Sequence, residues 1–491
     1  MSVDIQIWVG FSLYLLTVLG IGVYAYVSRP DETLSDYLLG DRSIGSVATA
    51  FTGATSVASG YQFVGLVGTA FAFGVSAFWF LVGDLIGVII QYTLSPRLRA
   101  QSEQVDSITL VDHLSARVED SNNMVTLVGG IIVLIFMTMY VASQMAAAGT
   151  AFTGIGGSYE LGVVIAFVLI LLYTLLGGYI AGAWTDVVQG VMMLVGLWAI
   201  VVLSVVHVGG WGPFVAELAQ QDPALLTVTG GMELSAFLLL LGTVFGIGSG
   251  YMGSPHSMGR LMGTRDSETA AQSIAIAALV WVLIDMGSIL VGWSVRAIVP
   301  DIADPEMGYT VMLEIFMHPL LAGVFVAALF AAIMSTGDSQ LVAGVGAAVR
   351  EIYHNVINED ADQQQMVRYS RIMVVVLSVV ALAGALQFTG VVFWFILFAW
   401  AGVACVFAPL VVLSLYWRGL TQEGVVAGMI TGSVTAVLWY YFPPFGLYEG
   451  FAAFIVSAVV AIGVSSVTQP PANTEEYFAG YRTGPGETDD D

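Results

Sequence analysis

The sequence contains no lysine and a single cysteine, Cys405. One thiol excludes a disulfide within the chain and a thiolate metal centre, and its place in an apolar run reads as a small buried core residue. Charge is scarce as well: charged residues make up 10% of 491, against 57% hydrophobic, and mean hydropathy is +0.87. So much apolar surface exceeds what one aqueous core can hide. Runs of about 20 apolar residues, the length that crosses the hydrocarbon of a bilayer, recur along the whole chain. A membrane barrel would show shorter strands alternating apolar with polar, so the expectation is an all-α polytopic protein in a lipid bilayer. All 13 bases are arginine, set against 36 acids. With no basic patch to neutralise phosphates, nucleic acid is disfavoured as a partner, and no obligate protein partner is evident. A carboxylate surplus stays hydrated where salt screens its self-repulsion, which suggests a halophile.

Apolar runs between charged or Gly/Pro-rich breaks give thirteen candidate spans. They lie near 5–27, 46–73, 76–95, 124–148, 160–182, 185–208, 235–254, 271–299, 319–346, 369–389, 391–417, 421–442 and 449–467. The first is too long for a signal peptide's apolar part and no basic residue precedes it, so it reads as a retained span. An odd count puts the two termini on opposite sides. With the N-terminus outside and the C-terminus cytoplasmic, twelve arginines fall on inner loops and only Arg296 lies outside, a strong positive-inside bias. The expected organisation is a first helix and inner linker (1–45), two five-span repeats (46–208 and 209–417), two further helices (418–467) and a disordered acidic tail (468–491).

Small and hydroxylated residues interrupt three of these spans. GATSVASG (53–60) lies in the second, GIGSGYMGSP (246–255) in the seventh and MSTGDS (334–339) in the ninth. Such residues serve close helix packing or mark a break whose freed carbonyls and hydroxyls hold a cation. Ser335, Thr336, Asp338 and Ser339 place three hydroxyls and a carboxylate within about two turns, a hard-oxygen set suited to sodium. Interrupted segments open both five-span blocks, 2–6 and 7–11. Odd blocks in tandem have opposite topology, which is the inverted-repeat plan of many secondary transporters. Asp186 opens the sixth span, where it either stabilises a helix N-terminus or serves a site. Asp84 and Asp285 fall within spans, where an unpaired acid is costly. His256, at the edge of the seventh span, reads as structural.

These motifs resemble the sodium/solute symporter family, most closely its sodium/proline symporter branch. The resemblance rests on DYLLGDRSIG (36–45), Ser56, Ser59 and Gly60, FMTMYVAS (136–143), YTLLGGYIAGAWTDVVQG (173–190), GYMGSPHSMGRLM (250–262), AAIMST (331–336) and GVVAGMITG (424–432). It implies a thirteen-span fold with sodium as coupling ion and no other cofactor. The implied main sodium site comprises carbonyls of Thr55, Ala58 and Ala332 with hydroxyls of Ser335 and Thr336. A further cation site would use Asp186, Asp338 and Ser339. Ser59, Gly60, Tyr61, Tyr140, Ile247 and Tyr251 match substrate positions, and Arg42 and Val57 match coupling positions. The chain departs from the branch at Val57, where the branch has Asp, and at Tyr61 and Ile247, where it has Trp. Asp338 stands where a hydroxyl is usual and is expected to supply the charge missing at Val57.

The expected function is sodium-coupled symport of proline or another amino acid across the cell membrane. Proton coupling, or a small carboxylate or pantothenate-like solute, is the alternative. An enzyme is not expected, because the five histidines fall mainly in loops or span ends without an HExxH pattern.

Overall fold

A computed structural model describes residues 4–27, 50–51, 58–444, 446–472 and 474–479. The expectations for Arg42, Thr55 and Val57 lie outside the described residues. Among the described residues the chain is helical, with no strand. In chain order the helices are α1 (Ile5–Val27), α2 (Val67–Phe73), α3 (Phe78–Gln104), α4 (Leu110–Arg117), α5 (Met124–Thr153), α6 (Tyr159–Val208), α7 (Trp211–Gln221), α8 (Leu234–Ser249), α9 (Pro255–Met262) and α10 (Ser267–Ile298). There follow α11 (Gly308–Phe316), α12 (Pro319–Gly346), α13 (Gln363–Gln387), α14 (Val392–Trp400), α15 (Val406–Tyr416), α16 (Gln422–Tyr441), α17 (Glu449–Ser465) and α18 (Thr474–Ala479).

Nine described helical stretches are long and apolar enough to cross a membrane, and the first parts of α1 and α6 and the whole of α17 are apolar as well. One of the nine, Tyr61–Gln104, is 44 residues long. It turns at Gly74, where φ is +55° and a Cβ would sit 2.2 Å from the Leu225 carbonyl oxygen, so only glycine fits. The runs expected near 160–182 and 185–208 lie on one continuous helix, α6.

Burial separates the core helices from those facing lipid. In the stretch from Pro319 to Ile357, 83% of the most apolar window is buried, against 33% in α13. The outer face of α13 shows Val375, Val376, Val379 and Val380, a surface that suits hydrocarbon as a neighbour. Glycines let the inner helices approach closely. At the crossing of α3 with α8, a Cβ on Gly87 would lie 2.2 Å from the Gly248 carbonyl oxygen, and one on Gly248 would lie 2.1 Å from that of Gly83. The glycines of GIGSG therefore serve packing. The same segment also breaks: α8 ends at Ser249, a short 3₁₀ turn covers Gly250–Met252, and α9 restarts at Pro255. Close packing and a helix break thus coincide in one stretch.

On the loop between α10 and α11, Glu306 accepts hydrogen bonds from the Val392 and Phe393 amides, both at 2.9 Å. A carboxylate thus satisfies orphan donors at the start of α14. Burial pushes Glu306 up to about 7, against the opposing pull of those two amides.

Part of the tail expected to be disordered is folded. Helix α18 buries Tyr477 and Phe478, and the Arg117 guanidinium lies 5.1 Å and 5.0 Å from their ring centroids. The Tyr477 hydroxyl is 3.1 Å from His113 Nε2 on α4. An aromatic pair stacked on a guanidinium anchors a segment whose overall composition is polar. Burial, then the charge of Arg117, lowers His113 from 6.5 to about 4. The docked state therefore holds a neutral imidazole, and an undocked one takes up a proton below about 6.5. Docking stability is complete above that value and falls as the pH drops towards 4, by up to about 3 kcal/mol. Acidification is expected to release α18, read as faster amide exchange over 474–479, and His113→Gln is expected to flatten that dependence.

Candidate ion and solute sites

The second-span break ends at the boundary of the described residues, and its last part is held by side-chain oxygens. The Ser59 amide donates to Gln62 Oε1 at 2.8 Å, the Gly60 amide to Gln144 Oε1 at 3.0 Å and the Tyr61 amide to Ser59 Oγ at 3.1 Å. These amides begin a half-helix, and protein carbonyls and a hydroxyl satisfy them there. Ser59 and Gly60, expected at the solute, begin this half-helix. A Cβ on Gly60 would lie 2.3 Å from Ala147 Cβ, so close packing also requires the glycine.

Across from the break runs α12, buried along almost its whole length. Thr336 Oγ1 lies 3.4 Å from the Ala58 carbonyl oxygen, so two of the expected sodium ligands meet across this seam. One turn around, Ser335 Oγ donates to Asp186 Oδ1 at 2.5 Å. Ala332 is fully buried one turn before Thr336. Hydroxyls, carbonyls and one carboxylate make up a hard-oxygen set, which fits sodium.

The expected second cation site contains a cation already, that of Arg260. Its Nη2 donates to Ser339 Oγ at 2.5 Å, and Ser339 in turn donates to the Ser335 carbonyl at 2.9 Å. Asp338 bonds to Thr174, with Arg260 and Asp186 as its charged neighbours. The Arg260 guanidinium thus lies beside the Asp338 carboxyl. From Asp338 and Ser339 a cavity runs past Arg260 and His256 to Thr109 and Glu351, near the loop helix α4. Sequence reasoning did not single out Arg260. A buried guanidinium needs partners, but its acceptor Ser339 is 79 residues away.

Tyr61, Tyr140, Ile247 and Tyr251 come together as expected. With Ile396, Leu397 and Trp400 they line a small cavity. The Trp400 indole donates to the Ile247 carbonyl at 3.0 Å, and its ring lies 5.2 Å from Tyr251 and 6.1 Å from Tyr140. An indole therefore borders the pocket although Tyr61 and Ile247 replace two tryptophans expected from the family branch. His256 packs against the aromatic wall: its Nδ1 is 3.0 Å from Ser254 Oγ and its ring meets those of Tyr140 and Trp400. Tyr251 leads out of the pocket to a polar group. Its hydroxyl donates to Asp84 Oδ1 at 3.0 Å, while Gln62 Nε2 donates to Asp285 Oδ1 at 3.2 Å. Gln62, Gln144 and Trp400 were not legible as site residues, since each is an ordinary helix residue until the fold brings it to the break.

A family model described as the sodium:solute symporter family matches residues 37–432. Sodium/proline symporters of Staphylococcus aureus strains JH9 and NCTC 8325 / PS 47 are 33% identical over 485 residues, covering 95% of this chain and 93% of theirs. Among solved structures, a Na+-coupled sialic acid symporter in a substrate-bound outward-open state matches with a TM-score of 0.80 at 18% identity, over 95% of this chain and 98% of that one. A nucleobase-cation-symport-1 family transporter in a closed conformation matches with a TM-score of 0.52 at 17% identity, over 91% and 99%. At such identities the two structures speak to the fold alone.

Proposed function

The chain belongs to the sodium:solute symporter family, and on that premise we propose that it couples sodium entry to uptake of proline or a closely related amino acid. One observation carries the reading. Ala58, whose carbonyl faces Thr336, and Tyr61, which lines the aromatic cavity, are three residues apart on the same break. An ion that pulls the Ala58 carbonyl towards α12 therefore shifts the wall of the solute pocket. Coupling of this kind is reciprocal, so sodium and solute each tighten the other's binding by the same factor.

The main sodium site comprises Thr55, Ala58, Ala332, Ser335 and Thr336, and Asp186, Asp338 and Ser339 form a second position shared with Arg260. Tyr61, Tyr140, Ile247 and Tyr251 hold the solute, with Ser59 and Gly60 shaping the half-helix beneath it and Arg42 and Val57 at coupling positions. The fold is that of thirteen spans, with 46–208 and 209–417 as inverted repeats between the helix and linker of 1–45 and the last two spans of 418–467. The N-terminus lies outside, and 468–491 forms a cytoplasmic tail. Small aromatic walls suit a compact, partly apolar solute, and the absence of a basic side chain among the described pocket residues weighs against a lone carboxylate. The inner cavity at Asp338 and Ser339 supports release towards the cytoplasm. An inward sodium gradient and the membrane potential, about 2.3 kcal/mol per charge per 100 mV, drive accumulation.

In proteoliposomes, labelled proline is expected to accumulate against its gradient when sodium is imposed outside at constant pH, and not when potassium replaces it. A panel of amino and organic acids competing for that uptake ranks the solutes. Accumulation driven equally by a proton gradient without sodium overturns the assignment.

A further inference from the structure

We propose that Asp84 on α3 and Asp285 on α10 form a carboxyl pair that binds one shared proton behind the solute pocket, linked to that pocket through Tyr251. Both side chains are buried, at 2% and 0% exposure. The two carboxyls lie close enough to interact directly. Two ionised carboxylates so placed, out of water, repel one another, and a proton between them removes that repulsion. The outer oxygen of each group is already occupied: Tyr251 donates to Asp84 Oδ1 and Gln62 to Asp285 Oδ1. Neither Oδ2 finds another donor. The titratable groups facing the pair are Tyr61 before α2, Tyr140 on α5 and Tyr251 after α8, and no arginine or histidine is among them. Like charges in contact and out of water cannot both ionise, so one proton stays.

The occupant is a proton rather than a metal ion. A hard cation seeks several oxygen lone pairs. Here the surrounding Gln62 amide and Tyr251 hydroxyl point hydrogens into the pair, and only two oxygens remain. The pair also touches both walls of the solute cavity. Tyr251 lines it directly. Gln62 accepts from the Ser59 amide, two residues before Tyr61. Loss of the proton leaves two repelling charges that push α3 from α10 and draw both donors with them. Solute affinity then falls, and by reciprocity bound solute holds the proton more tightly. This linkage rests on the solute pocket assigned above; the proton site itself does not.

Infrared difference spectra of the purified full-length protein, without solute or gradient, test the site. Expected is the carbonyl band of a protonated carboxylic acid that shifts in D₂O, disappears at alkaline pH and is missing in both Asp84→Asn and Asp285→Asn. Each variant leaves one carboxylate beside an amide donor, so no shared proton is required. Solute affinity, followed by tryptophan fluorescence, is expected to drop about tenfold in the wild type as the band titrates away and to be independent of pH in the variants. If neither variant folds, the wild-type band, its D₂O shift and its pH course alone decide. Absence of the band, its persistence in both variants, or its loss on adding sodium at fixed pH overturns the proton site. A band that titrates without change in solute affinity overturns the linkage. Sodium-driven uptake is a separate measurement, so an absent band with intact uptake refutes this proposal alone.

Discussion

Thr336→Val is expected to raise the sodium concentration for half-maximal uptake by between one and two orders of magnitude. Valine keeps the shape of threonine and removes only the hydroxyl that stands 3.4 Å from the Ala58 carbonyl oxygen. A hydrogen bond or ligand contact to a charged group is worth about 1.5–3 kcal/mol, which corresponds to roughly 10- to 150-fold in affinity. Thr336→Ser keeps the hydroxyl and is expected to stay within a few-fold of the wild type. Sodium-dependent solute binding by the purified variants checks this without relying on turnover. Equal sodium dependence in Thr336→Val and wild type would remove Thr336 from the ion site and with it the coupling through the Ala58–Tyr61 break.

Gly250→Ala is expected to damage solute binding at least as severely, by a different route. A Cβ there would lie 2.1 Å from Trp400 Nε1 and 2.4 Å from its Cε2. The indole has little room to yield, because its N–H is bonded to the Ile247 carbonyl and Tyr251 and Tyr140 pack against its ring. Overpacking of a filled interior costs about 1–3 kcal/mol, and here the displaced group is a wall of the cavity. Solute affinity is expected to fall tenfold or more, with a smaller change in sodium affinity measured without solute. The double variant Gly250→Ala/Trp400→Phe frees the space the indole nitrogen occupied, so it is expected to bind better than the two single effects combined would allow. Strictly additive losses would separate Gly250 from Trp400 and dissociate the break from the pocket.

Much of the ion seam was legible because its chemistry is local. Ser335, Thr336 and Asp338 lie within one short motif, and a hydroxyl-rich turn in an apolar span needs a reason wherever it folds. Tyr61 and Tyr251 were legible only through the family resemblance, which matches them to solute positions. The remaining features are pairs formed across long separations. Asp84 meets Tyr251 and Asp285, Arg260 meets Ser339, Trp400 meets Ile247, Glu306 meets the start of α14, and Tyr477 meets His113. In each case one residue alone signals only that a partner is needed.

The sequence by itself determined that this chain lives in lipid, where its apolar runs fall and that small and hydroxylated residues interrupt them, because hydrophobic burial and backbone satisfaction are read from neighbouring residues. Tertiary structure alone decided which acid faces which donor, which indole closes the pocket and where part of the tail docks. Those outcomes depend on distances between helices, and a buried charge or polar group takes its meaning from what stands within a few ångströms of it.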